Sequence, residues 1–135
     1  MKGYNIEEGI ELPEFDLVII GYGMVGSIAA LLAVKNRLRV AVLEIRKTND
    51  LYVPKAGRLD AEVIRIFEEL GIKEDLEHKL KPLEGTQVTD KNNKVIFDIC
   101  HPRVDTYAPM YGIYQPEIQF FLHKKLEKEN EGYFT

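Results

Sequence analysis

The chain has 135 residues and a formal net charge of −4, with 45% hydrophobic and 30% charged residues. This size and composition are those of one globular domain or a part of one. The mildly acidic balance argues against nucleic acid as a partner, because phosphate binding needs a basic surface. The sequence has neither the apolar core of a signal peptide nor an apolar run of about 18 residues, so no membrane span is expected.

The single cysteine, Cys100, cannot form an internal disulfide. Together with the lack of a signal peptide, it favours a cytoplasmic location. Its neighbour His101 completes the one adjacent thiol–imidazole pair, and His78 and His123 are far from it in sequence. This spacing matches neither a zinc site nor a nucleophile–base pair, so no metal site is predicted.

In chain order, residues 1–14 are interpreted as a polar leader. Residues 16–21 (DLVIIG) and 39–44 (RVAVLE) are β-branched apolar runs typical of buried strands. Between them, residues 24–36 have the small-residue pattern of a packed helix. A strand, a helix and a second strand in this order predict a βαβ unit with a parallel strand pair.

Apolar periodicity predicts two more helices. One runs from about Asp60 to Leu70 and ends at Gly71, because glycine is favoured just after a helix. The other spans about Pro116 to Lys128, with proline at the first position and lysines in the last turns, as the helix dipole favours. The expected buried residues are Leu59, Val63, Ile66, Phe67 and Leu70 in the first helix and Ile118, Phe121, Leu122 and Leu126 in the second.

The segment between these helices predicts a β-hairpin over residues 85–99, in which two apolar runs flank the polar turn DKNNK. Residues 100–114 are rich in proline and tyrosine and are expected to be irregular. Residues 131–135 have the pattern of the start of another strand. We find no internal repeat.

The strongest functional signal is the glycine motif after the first strand. Gly21, Gly23 and Gly26 form G-x-G-x-x-G. In such a motif the first glycine allows the sharp exit from the strand, the second lets a pyrophosphate approach the backbone, and the third lets the helix pack closely. The amides of Met24 and Val25 would then point at the phosphates from the helix N-terminus. The motif therefore predicts a dinucleotide site.

Glu44 ends the second strand, about 20 residues after the motif begins, where a carboxylate accepts hydrogen bonds from ribose hydroxyls. It disfavours a ribose 2′-phosphate, since two negative charges would meet. The simpler interpretation is that the glycines only make a tight turn and that Glu44 is a solvated strand end. The motif does not separate FAD from NAD, because both cofactors carry an ADP half.

Three further segments follow the glycine motif in order, namely VLEIRK (42–47), YVPKAGRLDAEVIRIFEELGI (52–72) and YGIYQPEIQFFLHKKL (111–126). Over about residues 15–128, this set resembles the N-terminal part of the FAD-dependent aromatic hydroxylases, which are single-component flavoprotein monooxygenases, and in particular the 3-(3-hydroxyphenyl)propionate hydroxylase type. The resemblance implies an α/β fold with a Rossmann-like FAD-binding unit interrupted by a small β-sheet insertion. Residues 15–135 would be the N-terminal part of the FAD-binding domain, an incomplete domain in which the 85–99 hairpin starts the inserted sheet.

The resemblance adds three residues to the predicted cofactor site. Arg46 lies in the basic segment that the family places near the adenosine. Lys55 replaces a family arginine that contacts the phosphate or ribitol region, keeping the charge but losing the planar fork. Gln115 matches a glutamine that contacts the cofactor from a helix start. The alternatives are a solvated loop lysine at Lys55 and a polar N-cap at Gln115.

The chain also departs from the family pattern. Arg37 stands where the family has a helix-ending glycine, and we expect the neighbouring Asn36 to take the left-handed turn. Met24 replaces a common proline, and Gln119 stands where many members carry an acid. Family members are much longer, and their later Asp-Gly and Gly-Asp cofactor motifs are absent from this sequence.

By resemblance, NAD(P)H would reduce bound FAD, and the reduced flavin would use O₂ to hydroxylate a small phenolic compound ortho to its hydroxyl. The protein would position the cofactor and exclude water, so no catalytic residue is assigned. We do not expect activity from this short chain alone. One alternative is a truncated or split FAD/ADP-binding module without catalysis, whose exposed strand edges predict self-association or a missing C-terminal half. Another is a different Rossmann oxidoreductase that uses NAD.

Overall fold

The computed structural model describes residues 14–47, 52–100, 102–103 and 106–129. The leader before residue 14, His101 and the strand expected in residues 131–135 lie outside the described residues. The strands are β1 (Leu17–Ile20), β2 (Val40–Leu43), β3 (Arg58–Asp60), β4 (Lys81–Leu83), β5 (Gly85–Thr89), β6 (Val95–Cys100) and β7 (Met110–Gly112). The helices are α1 (Met24–Lys35), α2 (Ala61–Glu69), α3 (Lys73–Leu76) and α4 (Gln115–Glu129), with a 3₁₀ turn at Glu77–Lys79.

The predicted βαβ unit consists of β1, α1 and β2. The two strands pair in parallel, with Leu17 opposite Val40 and Ile20 opposite Leu43. The amide of Gly21 extends the ladder by donating to the carbonyl of Leu43 at 2.7 Å. Parallel strands end at the same edge of a sheet, so the glycine turn after β1 lies beside the residues that follow β2.

The turn after α1 corrects one expectation. Arg37 takes the left-handed conformation with φ of 59°, whereas Asn36 has φ of −89°. The Asn36 side chain instead donates to the carbonyl of Leu32 at 2.7 Å, and the Arg37 amide donates to the carbonyl of Val34 at 2.8 Å. Because these bonds satisfy the last carbonyls of the helix, the turn closes on a non-glycine residue.

The 100–114 segment was expected to be irregular, and this expectation is wrong for β7. This strand pairs antiparallel with β3 on one side and with β4 on the other. β5 and β6 form the predicted hairpin, with Gly85 opposite Cys100 and a bulge between Val88 and Thr89. The assignment of this hairpin to an inserted substrate sheet stays a prediction.

The core is centred on the contact between α1 and α4. Ala30 is fully buried on α1 and belongs to this cluster of buried residues. On α4, the predicted row of Ile118, Leu122 and Leu126 is fully buried. Burial of each such side chain contributes about 1.5–3 kcal/mol. No helix among the described residues is long and apolar enough to cross a membrane.

The start of α1 approaches the end of β1 so closely that a side chain is excluded. A Cβ atom on Gly26 would lie 2.0 Å from the carbonyl oxygen of Gly21. Gly21 itself has φ of +106°, which L side chains rarely adopt. Both glycines are therefore required by the backbone of the turn.

Gly26→Ala is expected to lower the free energy of unfolding by about 3 kcal/mol, because the backbone must move to admit the methyl group. Urea unfolding followed by circular dichroism measures this change. Gly57→Ala is the matched control, since a Cβ there meets nothing within 4 Å, and it should change stability by no more than about 0.5 kcal/mol. Equal stability of the two variants would contradict the close approach.

Candidate cofactor site

A cleft of about 550 Å³ opens at the N-terminal end of α1. Its walls come from the end of β1, the first turns of α1, the segment before β3 and the start of α4. The structure brings seven of the nine predicted cofactor residues to this cleft: Gly21, Gly23, Met24, Val25, Gly26, Lys55 and Gln115. Glu44 lines an adjoining groove that shares Ile20 and Gly21 with the cleft.

The first turn of α1 offers backbone donors to a ligand. The Ser27 amide makes the first intrahelical bond, to the carbonyl of Gly23 at 2.9 Å. The amides of Met24, Val25 and Gly26 therefore have no acceptor within the helix. The N-cap residue makes no side-chain cap hydrogen bond, and the first turn has no acidic residue. These amides and the positive end of the helix dipole suit an anionic group such as a pyrophosphate.

Gly23 leaves the backbone of the turn open to a ligand. A Cβ atom there would have one neighbour within 4 Å, the Arg46 guanidinium at 3.9 Å. Its φ of −84° and ψ of −171° are extended values that any residue can adopt. The protein therefore does not need a glycine here for its own packing, in contrast to Gly26. The missing side chain instead keeps space beside the turn.

Glu44 is held by four hydrogen bonds within the protein. Oε2 accepts from the Tyr22 amide at 2.7 Å and from Nη2 of Arg46 at 2.8 Å. Oε1 accepts from the amide and from Nε of Arg46 at 2.8 and 2.9 Å. The Arg46 side chain and these amides hold the pKa of Glu44 well below its usual range. The carboxylate therefore anchors the glycine turn, which was not predicted from the sequence.

The ribose contact predicted for Glu44 stays a prediction, and its geometry is constrained. A carboxylate has about four lone-pair sites, and all are occupied by Tyr22 and Arg46. A ribose hydroxyl would have to replace one of these donors. The Arg46 side chain is 29% exposed and that of Glu44 is 12% exposed.

Gln115 joins α4 to the segment that carries Lys55. Its Oε1 accepts from the amides of Lys55 and Ala56 at 2.8 and 2.6 Å, so the side chain reaches a distant segment. Lys55 itself is exposed at the cleft wall. The cofactor contacts predicted for both residues stay predictions.

Two further residues that contact the glycine turn were not predicted from the sequence to belong to the site. Gln119 and His123 place their Nε2 atoms 3.2 and 3.0 Å from the carbonyl oxygen of Tyr22. With Gln115 they form a polar row with a spacing of four residues beside the apolar row of α4. That spacing was the available signal, since residues i and i+4 share one helix face.

Glu44→Gln is expected to flatten the acid dependence of stability. The pKa of Glu44 is lowered on folding, so its contribution is complete above about pH 4.5 and is lost as the pH falls. The variant should be less stable at about pH 7, and its free energy of unfolding should fall less steeply than that of the wild type toward about pH 3. Urea unfolding at each pH measures both curves.

The control for this experiment is Glu74→Gln, which changes an exposed carboxylate on α3. Its curve should run parallel to that of the wild type, because the Glu44 carboxylate is still present. Asp16 and Glu68, whose pKa values are also lowered, remain in every variant, so stability still falls toward acid pH in all of them. A parallel curve for Glu44→Gln as well would refute the anchoring of the turn by this carboxylate.

Comparison with known proteins agrees with this geometry. The sequence matches the family described as FAD binding domain over residues 14–133. A relative from Rhodococcus jostii, described as a probable NADH-specific resorcinol 4-hydroxylase, is 32% identical over 131 residues. That match covers 90% of this chain and 23% of the relative.

Solved structures share the fold at lower identity. PqsL, a probable FAD-dependent monooxygenase from Pseudomonas aeruginosa, is 18% identical with a TM-score of 0.70, covering 89% of this chain and 31% of PqsL. The p-nitrophenol 4-monooxygenase PnpA from Pseudomonas putida is 21% identical with a TM-score of 0.71, covering 84% of this chain and 29% of PnpA. This chain thus spans less than a third of the length of these proteins. The predicted Rossmann-like α/β fold and the resemblance to flavoprotein monooxygenases are confirmed, and the chain belongs to the FAD binding domain family.

Proposed function

We propose that this chain holds the ADP half of FAD within an NAD(P)H-dependent flavin monooxygenase that hydroxylates small phenolic compounds. The observation that carries the proposal is the cleft at the start of α1, where uncapped amides, an open glycine and a lysine converge. Family membership supports FAD as the cofactor. The relative from Rhodococcus jostii, a probable NADH-specific resorcinol 4-hydroxylase, supports NADH as the co-substrate and a phenolic ring as the substrate class.

The described residues fit the ADP half of the cofactor. The pyrophosphate would lie against Gly23 and accept from the amides of Met24 and Val25. Lys55 would add a positive charge from the facing wall, without the planar fork that an arginine would offer. Arg46, which is paired with Glu44 of the adjoining groove, would contact the adenosine.

Bound FAD would supply the redox chemistry of ring hydroxylation, and the protein would bind and orient it. We assign neither the flavin ring nor the phenolic substrate to residues of this cleft. In the proposed enzyme, the flavin ring and the phenolic substrate would be held by segments that correspond to the parts of the longer relatives outside the matched region. The proposed role of the present residues is therefore cofactor capture, with no catalytic residue among them.

Gly23→Ala is expected to weaken FAD binding by about tenfold or more, since a methyl group would occupy the approach of the pyrophosphate. The fold should be unchanged, because the nearest neighbour of the new methyl group is 3.9 Å away. Flavin fluorescence titration measures the Kd, and competition by ADP locates the contact. Gly57→Ala is again the control, because Gly57 does not line this cleft.

Three outcomes of this titration decide between the functions considered. Wild-type binding to FAD that ADP displaces and Gly23→Ala impairs supports the proposal. Equal FAD affinity of the Gly23→Ala variant and the wild type would show that the cleft is not the site. Binding of NAD with no affinity for FAD would instead favour a different Rossmann oxidoreductase.

A second candidate is a non-catalytic FAD/ADP-binding module that acts with a separate partner chain. It is favoured by an apolar sheet face, on which Val18 and Ile20 of β1 are 53% and 88% exposed and Leu43 of β2 is 56% exposed. Among the described residues, β1 pairs with β2 alone. A two-stranded sheet with an open apolar face needs a covering surface, which either a partner or a second copy could provide.

The purified chain is therefore expected to self-associate when no partner is present. A Val18→Thr and Leu43→Thr double variant should dissociate more readily, since threonine keeps the β-propensity while reducing the apolar area. Sedimentation velocity over a range of concentrations measures this. Val53→Thr, at a residue that is 50% exposed outside this sheet, is the matched control. A monomeric wild type at high concentration would count against the second candidate.

A further inference from the structure

Three polar side chains of α4 are buried together on the face that meets the glycine turn. Gln115, Gln119 and His123 are 8%, 1% and 3% exposed. Buried polar groups are costly unless they are hydrogen-bonded. In the described residues, no buried side-chain nitrogen or oxygen lacks a partner. The hydrogen-bond partners of these three side chains therefore indicate why polar residues are buried on this face of α4.

The hydrogen bonds of the two glutamines run in one direction. The amides of Lys55 and Ala56 can only donate, so the atom of Gln115 that they meet is the oxygen Oε1. The Gln115 Nε2 then donates to Oε1 of Gln119 at 3.4 Å. This leaves Nε2 of Gln119 as the donor to the Tyr22 carbonyl at 3.2 Å. The row thus links the Lys55 wall of the cleft to the glycine turn.

His123 donates to the same carbonyl. A carbonyl oxygen only accepts, so Nε2 of His123, 3.0 Å from the Tyr22 oxygen, carries a hydrogen. Burial lowers the pKa of His123, which favours the neutral ring, and Nδ1 then accepts from the Tyr52 hydroxyl at 2.9 Å. The rings of Tyr22 and His123 stack with centroids 3.7 Å apart and planes 7° apart.

Tyr22 is consequently fixed at both of its peptide groups. Its amide donates to Glu44 at 2.7 Å, and its carbonyl accepts from Gln119 and His123. The Tyr22 carbonyl and the Gly23 amide belong to one planar trans peptide group. Because the carbonyl points toward α4, the Gly23 amide points away from α4.

We propose that Gln119 and His123 are positioning residues that hold the Tyr22–Gly23 peptide group in the orientation that receives a dinucleotide. Gln115 ties the segment of Lys55 to the same helix face, so α4 sets the spacing between the two walls of the cleft. The consequence for binding rests on the proposed FAD site. The fixation of the turn is a property of the ligand-free chain and can be measured without FAD.

The test compares His123→Phe, Gln119→Leu and the double variant by amide hydrogen exchange in the ligand-free chain and by FAD titration. Phenylalanine keeps a ring to stack on Tyr22 but removes both nitrogen atoms. Each single variant removes one of the two bonds to the Tyr22 carbonyl and should raise the exchange rate of the Tyr22 amide and the Kd for FAD about fivefold, and the double variant about 20-fold. Exchange in the β5–β6 hairpin should not change.

Three further variants separate positioning from general stability. His123→Gln keeps an N–H donor and should recover most of the FAD affinity that His123→Phe loses. His78→Phe, a matched change at an exposed histidine in the 3₁₀ turn, should have no effect on exchange or binding. If the double variant unfolds, Gln119→Glu replaces it, because it keeps the shape of the side chain and turns the donor into an acceptor.

Faster exchange confined to the turn, together with weaker FAD binding, supports the proposal. A folded double variant with wild-type exchange at the Tyr22 amide overturns it, whether or not FAD binds. If exchange is faster in the variants but the wild type binds no FAD, the fixation of the turn is supported and the proposed FAD site is refuted. The two failures are therefore distinguishable.

Discussion

The close approach of α1 to the end of β1 is the constraint on which the site depends. Gly26, in the first turn of the helix, lies against the Gly21 carbonyl. A Cβ atom on Gly26 would be only 2.0 Å from that carbonyl oxygen. This contact brings the free amides of the first helical turn to the edge where β1 and β2 end. It also places Tyr22 between Glu44 and α4. A larger residue at this contact would push the helix outward and separate these groups.

One helix, α4, connects the core to the site. Its apolar row, represented by Leu122, is fully buried and packs in the core with α1. Its polar row, from Gln115 to His123, lies beside it and meets the glycine turn and the Lys55 segment. Because both rows belong to one rigid helix, the packing that stabilises the fold also sets the geometry of the cleft. The hydrogen bonds of the polar row offset the cost of its burial.

Local patterns predicted the elements that carry their own signal, namely the βαβ unit, the hairpin and the two longer helices. They failed where a neighbour decides the outcome. β7 has three residues and forms because β3 and β4 offer partners on both sides. On α2, Ile66 was predicted to be buried, whereas the fully buried residue is Ile64. The docking of the helix against the core fixes its rotation and therefore decides which side chains are buried. Arg37 rather than Asn36 adopts the left-handed turn, because the side chain of Asn36 caps a carbonyl.

The sequence alone determined the shape of the turn: the glycine spacing and the strand before it specify a sharp strand-to-helix turn through backbone sterics that act within one βαβ unit, and its use as a dinucleotide site stays a prediction. Only the tertiary structure decided which side chains hold that turn in place. Glu44 binds the Tyr22 amide, and Gln119 and His123 reach the Tyr22 carbonyl across 97 and 101 residues of chain. Such partners depend on where α4 packs, and packing is set by the whole core rather than by any local pattern.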